Sequence, residues 1–236
     1  MWKIELEDHQ KVWITSDTHY NHKNICRGTS KWTHASNMRN FDTLSHMNET
    51  IINNINEVVG YDDVLIHLGD WSFGGFESIA EFRNRIVCKQ VSLVLGNHDH
   101  HIENNRDGIQ DLFAHVTHYT RMEVKTKDTT HKFVLQHFPI ISWQDMAKGT
   151  FHLFGHMHLP ANKKMMPGRS MDVGMDGNNL KPYELKSIIN TLSGRPVQHN
   201  AIADDHHDKM SVDNMRSQIL NLQIENERLF TKTIGQ

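Results

Sequence analysis

In the first half of the chain, short continuous runs of hydrophobic residues alternate with segments in which hydrophobic residues have helical spacing. Runs of β-branched and large apolar residues at 10–16, 63–68 and 91–95 predict buried strands. Between these runs, apolar residues recur every three to four positions over 41–59 and 75–86, which predicts two helices. Strands that alternate with helices in this way are typical of βαβ units and a parallel sheet.

The first predicted helix carries signals at both ends. Asp42 is a residue type that caps helix N-termini, and Gly60 is a residue type that follows helix C-termini. We therefore expect the helix to run between these two positions. The polar, irregular stretch before it, residues 20–40, is expected to form a loop over a functional site.

After residue 108 the pattern becomes mostly β. Residues 115–125 and 131–137 flank the turn-forming run 127–130, which predicts a hairpin. A βαβ half followed by a β-rich half predicts an α/β fold in which two sheets pack face to face with helices outside. Further predicted elements are strands at 150–155 and near 170–175 and a helix at 183–192.

The C-terminal part of the chain has a different pattern from the domain predicted for residues 1–193. Residues 194–211 form a polar linker, and residues 212–232 carry apolar positions spaced three and four apart. This is a heptad seam with the polar Asn226 at one core position, which predicts a C-terminal helix. We expect this helix to pair with another copy of the chain, and folding back onto the domain is the alternative.

Composition and charge narrow the function classes. Hydrophobic residues make up 37% of the chain, enough for a packed core, and the formal net charge of −3 provides no global basic field for nucleic acid. Two cysteines, Cys26 and Cys88, fit a reducing compartment. The charged N-terminal segment lacks the apolar core of a signal peptide, and no run of 18 apolar residues occurs. We therefore expect a cytoplasmic protein with no membrane partner.

Short polar motifs follow four of the predicted strands. A His-x-His pair alone means little, since a chain with 19 His should contain about 1.5 such pairs by chance, and this one has two. Oxygen and nitrogen ligands at several successive strand ends are a stronger signal, because α/β folds build their sites there. The four motifs are Asp17-Thr18-His19, Gly69-Asp70, Gly96-Asn97-His98-Asp99 and Gly155-His156-Met157-His158.

The side chains in these motifs, together with a later histidine, form a metal-ligand set without thiolates. Carboxylate, amide oxygen and imidazole ligands suit Mn, Fe, Zn or Mg rather than a Cys-rich structural zinc site. Seven ligands exceed one open tetrahedral site and are enough for two metal ions that share a bridging carboxylate. The candidate ligands are Asp17, His19, Asp70, Asn97, His137, His156 and His158.

In their order along the chain, the motifs resemble those of the calcineurin-like metallophosphoesterases, over residues 10 to about 190. The family pattern is Asp-x-His, Gly-Asp, Gly-Asn-His-Asp/Glu, a lone His and Gly-His-x-His, and here His137 before Phe138-Pro139 supplies the lone His. The stretches 16–22 and 172–176 are most similar to compact versions from bacterial and phage genomes. The resemblance implies a four-layer fold, a two-sheet β-sandwich flanked by helices.

The resemblance also implies roles for the matched residues. His98 would stay off the metals and act as general acid, or stabilise the charge that builds on the leaving oxygen. Two divalent ions are implied, with Mn favoured and Fe, Zn, Ni and Mg as alternatives. Asp70 would bridge two ligand sets, which are Asp17, His19 and His158 for one ion and Asn97, His137 and His156 for the other.

The chain departs from the family's protein phosphatases, which continue Gly-Asp as Gly-Asp-x-x-Asp-Arg. Phe73 stands where the Asp would pair with the catalytic His, and Gly74 stands where the Arg would grip phosphate. A phosphodiester tolerates this loss better, because its reacting group carries one negative charge. The resemblance therefore favours a phosphodiesterase acting on nucleotides or nucleic acid. A phosphomonoesterase or pyrophosphohydrolase on small nucleotides, or a non-catalytic binding scaffold, are the alternatives.

Several residues near the motifs are candidates for supporting roles. His22 and Arg169 are candidate substrate contacts, since one follows the first motif and the other follows the last. Asp99 is expected to cap a helix or to support the metal ligands. Asp172 and Asp176 are expected to hold the backbone around the site.

Overall fold

The computed structural model covers most of the predicted domain. Only residues 194–198 of the linker predicted at 194–211 belong to the described part of the chain, and the helix predicted at 212–232 lies outside it. Both remain predictions. The described residues are 1–5, 9–34, 38–105, 108–125 and 129–198.

The described part of the chain contains eleven strands and four α-helices. The strands are β1 (Trp2–Ile4), β2 (Val12–Thr15), β3 (Val64–His67), β4 (Gln90–Val94), β5 (His115–Thr117), β6 (Tyr119–Lys125), β7 (Thr130–Gln136), β8 (Phe151–Phe154), β9 (Met165–Met166), β10 (Ser170–Asp172) and β11 (Tyr183–Glu184). The helices are α1 (Leu44–Val58), α2 (Gly75–Arg85), α3 (His100–Glu103) and α4 (Leu185–Ser193).

The strands form two sheets. The first has the order β11–β2–β3–β4–β5, with β2 to β5 parallel and β11 antiparallel to β2. The second has the order β1–β6–β7–β8–β10–β9, in which β7, β8 and β10 are parallel neighbours. Parallel strands end at the same edge of their sheet, so the loops that follow them lie close together.

Strand β2 shows how the two hydrophobic cores are divided. Trp13 packs with Met47 and Phe82 of α1 and α2, whereas Ile14 packs with Phe133 and Leu153 of the second sheet. Successive side chains of a strand point to opposite faces, so a strand covered on both faces is apolar throughout. All four residues of β2 are buried, which explains the continuous apolar run that predicted it.

The predicted fold class is confirmed: two sheets pack face to face and helices flank them. Helices α1 and α2 cover the five-stranded sheet, and α4 contributes Leu185, Ile188 and Leu192 to the core between the sheets. Trp143 and Met146 pack on Val134 of β7.

Two details of the prediction were wrong. The stretch 115–125 is two strands rather than one, because β5 pairs with β4 in the first sheet and β6 pairs with β7 in the second. An alternating pattern reports which side chains are buried and does not report which strand is the partner. The cap of α1 is Thr43, whose hydroxyl accepts a hydrogen bond from the backbone N–H of His46, and not Asp42.

Candidate metal centre

The ends of strands from both sheets bring the predicted ligands together. Because the residues after parallel strands meet at one edge, positions far apart in the sequence become neighbours. In the sequence, Asp17 and His19 follow β2, Asp70 follows β3, Asn97 follows β4, His137 follows β7, and His156 and His158 follow β8.

A first group consists of Asp17, His19 and His158. The Nε2 atoms of His19 and His158 lie 3.0 Å apart, and Asp17 Oδ1 lies 3.7 Å from His158 Nε2 and 3.9 Å from His19 Nε2. All three ligand atoms lie within 4.8 Å of one another. The group therefore offers one oxygen and two nitrogens to a single point.

A second group is centred on Asn97. Its Oδ1 lies 3.0 Å from His137 Nε2 and 3.0 Å from His156 Nδ1. The carboxylate of Asp70 lies between the two groups, since its Oδ2 is 3.6 Å from His137 Nε2 and 3.4 Å from His19 Nε2. One carboxylate oxygen thus approaches both groups.

Five of these ligands have left-handed backbone conformations. Such conformations are unfavourable for side chains other than Gly and persist where the surrounding structure holds them, commonly at functional sites. They turn the chain sharply just past each strand and direct the side chains toward the same space. The φ values are 57° for Asp17, 47° for His19, 59° for Asp70, 69° for His156 and 49° for His158.

Two motif glycines leave room for the buried carboxylates. A Cβ atom on Gly96 would clash with the Asp70 side chain. A Cβ atom on Gly155 would clash with the Ser16 hydroxyl and the Asp17 carboxylate. Both positions need glycine because buried side chains, and at Gly96 also the Asp70 backbone nitrogen, lie where a Cβ atom would be.

The charges at the centre fit bound divalent cations. Asp17 and Asp70 are both almost fully buried. Burial raises the pKa of Asp17 to about 8, and the nearby Asp70 charge adds to this shift. Burial also lowers the pKa of His19 well below its usual value, which favours the neutral imidazole that metals bind. Buried carboxylates are stable as ions when cations neutralise them, so this donor set suits divalent metal ions.

Asp176 and Arg39 support the first group. Asp176 Oδ2 lies 2.7 Å from His158 Nδ1, and the Arg39 guanidinium donates to both carboxylate oxygens of Asp176 at 2.9 and 3.0 Å. Burial favours the neutral acid, but Arg39 and His158 hold the pKa of Asp176 well below its usual range. Arg39 also donates to the backbone carbonyls of Asp17 and Thr18. The sequence carried no signal for Arg39, whereas Asp176 was expected to serve the backbone and instead orients a ligand side chain.

Asp99 supports the loops that carry the central ligands. Its carboxylate accepts hydrogen bonds from the backbone N–H groups of Asp70, Trp71 and Gly96, at 2.8 to 2.9 Å. Its side chain does not cap α3. Of its two expected roles, the structure therefore shows support of the ligand loops. Asp172 likewise accepts from the N–H groups of Leu159 and Gly174.

An open cleft of about 270 Å³ leads to the ligands. His98 lies in it with 41% of its side chain exposed, and its Nε2 is 4.0 Å from Asp70 Oδ2. The ring of Phe73 lies 4.8 Å from the His98 ring and 3.7 Å from the His22 ring, nearly parallel to the latter. Burial lowers the pKa of His22 to about 4, so this cleft residue is uncharged at neutral pH.

Of the two predicted substrate contacts, the structure places His22 in the cleft and Arg169 elsewhere. The Arg169 guanidinium donates to the backbone carbonyls of Gly149, Ser193 and Arg195, at 3.2 to 3.5 Å. It is absent from the described cleft lining. Arg169 therefore joins two backbone segments in the described structure, and its contact with substrate stays a prediction.

The part of the chain that carries most of the predicted ligands matches a known protein family. The family model for calcineurin-like phosphoesterases matches residues 10–156, which is more than half of the chain. The chain belongs to the calcineurin-like phosphoesterase family. Together with the Asp and His clusters, membership supports a metal-dependent phosphoesterase. It does not distinguish the compact bacterial and phage type from other types.

Individual relatives add no substrate, since both are of unknown function. The phosphoesterase is 28% identical over 188 residues to an uncharacterized protein of Methanocaldococcus jannaschii, MJ1445, in an alignment spanning 78% of this chain and 92% of that protein. The crystal structure of a protein of unknown function from Aquifex aeolicus, AQ665, superposes with a TM-score of 0.54 at 19% identity. That match covers 78% of this chain and 100% of the other, and it supports the fold alone.

A search of the described helices for a membrane-spanning segment finds none of sufficient length and apolarity.

Proposed function

We propose that this phosphoesterase hydrolyses phosphodiester bonds in nucleotides or nucleic acid, using two divalent metal ions and His98 as general acid. The observation that supports this best is the position of Asp70. Its Oδ2 atom lies within 3.6 Å of a ligand nitrogen from each group, and within 4.0 Å of the His98 ring. Predicted ligands of both groups, the shared Asp70 carboxylate and the candidate acid His98 therefore face one cleft.

The residues of the centre divide between two ions, with Mn as the favoured metal. When bound, such ions lower the pKa of a water molecule to make a nucleophile at neutral pH and offset the charge of the phosphoryl group. Asp70 would serve both ions. The ligands proposed for one ion are Asp17, His19 and His158, and those for the other are Asn97, His137 and His156.

His98 is held where it can protonate a leaving group. Its backbone N–H donates to Asp70 Oδ1 at 2.9 Å, which ties the residue to the bridging ligand while its ring remains partly exposed in the cleft. Within the described part of the chain, Asp70 is the only carboxylate that forms an ion pair with this ring. We propose that His98 carries its proton toward the leaving oxygen of the diester.

The proposed preference for a diester rests on the lack of positively charged side chains in the described cleft lining. The described cleft lining contains no Lys or Arg. Arg39 does not replace the absent phosphate-gripping Arg, because it is buried and bound to Asp176 and to backbone carbonyls. A dianionic monoester would find few protein donors here, whereas a monoanionic diester needs fewer.

A substrate panel tests this proposal. Bis(4-nitrophenyl) phosphate and 4-nitrophenyl phosphate should be compared with Mn, Mg, Ni and Zn, together with cyclic nucleotides, dinucleotides and nucleic acid, and the metal content of the purified protein should be measured. We expect a higher kcat/KM for the diester, with Mn supporting the rate. A clear preference for the monoester would favour the phosphomonoesterase alternative. Metal binding without turnover of any ester would favour the binding scaffold.

A further inference from the structure

The cleft has an apolar, aromatic side that the metal chemistry does not use. Trp32 lines it with 46% of its surface exposed, and Met157 lines it with 45% exposed. Large apolar side chains exposed together beside polar catalytic groups are typical of ligand-binding clefts. We propose that Trp32 forms a stacking site for the nucleobase of the substrate, with Met157 adding apolar surface.

Aromatic rings continue from the candidate acid to the rim of the cleft. The Phe73 ring lies 4.8 Å from His98 and stacks on His22 at 3.7 Å with an interplanar angle of 9°. Trp32 follows at 5.6 Å from His22, nearly perpendicular to it at 84°. The neighbouring rings of Phe73 and His22 thus link the candidate acid His98 to Trp32.

The loop that carries Trp32 is held by its own hydrogen bonds. The Trp32 N–H donates to Ser30 Oγ at 3.1 Å, and the Lys31 N–H donates to Asn24 Oδ1 at 3.2 Å. The preceding turn, Arg27–Thr29, is joined to the chain near Arg39 by a hydrogen bond from the Arg27 N–H to the Arg39 carbonyl. The same Arg39 supports the metal ligands, so the Trp32 loop and the metal centre share a support. A loop backbone held in this way loses little freedom when the indole that it carries stacks on a ligand.

The chemistry of the cleft specifies an occupant with two different ends. Carboxylates and imidazoles at the metal centre suit a phosphoryl group, and an exposed indole suits a flat, unsaturated ring. A nucleoside phosphate combines both. The described lining offers no Lys or Arg to read base edges, and every base has a π-face that an indole can stack on. Recognition should therefore depend on the presence of a base more than on which base it is.

This inference rests on the proposed function, and its test uses binding so that the two can fail separately. AMP and ribose 5-phosphate carry the same phosphate and differ in the base. Their Kd values for the full-length, Mn-loaded protein can be measured by titration calorimetry. We expect AMP to bind about 5- to 150-fold tighter, the ratio that corresponds to base–aromatic stacking. CMP, GMP and UMP should fall near AMP.

Variants at two aromatic positions complete the experiment. Trp32→Ala should bring the ratio of the two Kd values close to one, and Trp32→Phe should retain most of it because a ring face remains. The matched control is Tyr61→Ala, which removes an exposed aromatic side chain outside the described cleft lining and should leave the ratio unchanged. Thermal unfolding should show that the Trp32 variants fold.

Two results would overturn the stacking site. One is equal binding of AMP and ribose 5-phosphate by the unaltered protein, and the other is an unchanged ratio in Trp32→Ala. A protein that binds AMP as expected and hydrolyses no diester would retain the stacking site and lose the proposed function. A protein that hydrolyses diesters and binds AMP no tighter than ribose 5-phosphate would retain the proposed function and lose the stacking site.

Discussion

At the scale of single residues, Asp70 contacts both groups of predicted ligands and the candidate acid His98. Its Oδ2 faces ligands of both groups, its Oδ1 accepts the His98 N–H, and its own N–H donates to Asp99. The side chain is almost fully buried. A change here therefore alters charge and shape at both proposed metal positions.

The substitution Asp70→Asn keeps the shape of the side chain and removes its charge between two cations. We expect metal content to fall and diester hydrolysis nearly to vanish, a larger effect than the roughly 10- to 100-fold loss typical of residues that only support ligands. Elemental analysis and kcat/KM would measure both. The matched control is Asp62→Asn, at an exposed acidic residue, which should retain metal and activity. Full metal occupancy with near-normal turnover in Asp70→Asn would remove Asp70 from the bridging role.

The substitution His98→Gln tests the general acid. We expect the metals to remain bound and turnover of an alkyl diester to fall about 10² to 10⁴-fold, the usual contribution of a positioned acid. The loss should be smaller for a nitrophenyl ester, because that leaving group needs little protonation. Measuring kcat over a series of leaving groups separates the two cases. An equal loss for good and poor leaving groups would count against His98 as the acid.

At the scale of elements, short turns after the strands orient the ligands. The 3₁₀ turn Met175–Asn178 follows β10 and brings Asp176 to His158, while Arg39 reaches it from the loop before α1. Neither segment contains one of the seven predicted ligands. Their contribution is to fix which nitrogen of His158 faces the centre, since the other nitrogen is engaged with Asp176.

The substitution Asp176→Asn should weaken the metal centre without removing a ligand. An amide cannot give His158 and Arg39 the charge of a carboxylate, so we expect metal affinity to fall about 10- to 100-fold. Competition with a chelator of known affinity would measure this. Asp111→Asn, at an exposed acid in another 3₁₀ turn, Gln110–Leu112, is the matched control. Unchanged metal affinity in Asp176→Asn would show that this contact does not orient His158.

At the scale of the whole molecule, one compact unit spans Met1–Gln198 and includes the first residues of the predicted linker. Arg195 donates to the backbone carbonyls of Gly168 and Met166 at 2.7 and 2.8 Å, and its own carbonyl accepts from Arg169. The first residues of the predicted linker therefore hold the segment around β9 and β10. The pairing of two chains through the heptads of 212–232 stays a proposal.

Two truncations should behave differently. A chain ending at residue 198 should keep its fold and bind metal, whereas one ending at residue 193 should melt at a lower temperature because Arg195 and its hydrogen bonds are lost. If the heptads pair two chains, both truncations should be monomeric while the full chain is dimeric. Light scattering and thermal unfolding would measure these outcomes. The same assembly state with and without the tail would end the pairing proposal, and Asn226→Leu in the full chain should strengthen any pairing.

Local patterns in the sequence were sufficient for most elements and for predicting which polar residues lie together at the centre. Runs such as 12–14 are apolar throughout because both faces of the strand are buried, so consecutive residues show this burial. The ligands stand directly after such strands, so motif and strand end identify each other. The residues that follow neighbouring parallel strands lie at the same edge of the sheet, so the sequence alone predicted that Asp17, Asp70 and Asn97 lie close together.

Tertiary structure decided the contacts between segments that share no local pattern. The partner of β5 depends on which sheet edge is free, and a period of two is the same for either sheet. Arg39 resembles any polar loop residue until folding brings Asp176 beside it, and no local pattern indicates that the Arg169 guanidinium donates to three backbone carbonyls. Trp32 likewise lies in the cleft because folding brings it beside His22, whose ring stacks on Phe73. Such pairings depend on distance in space, which a one-dimensional pattern does not encode.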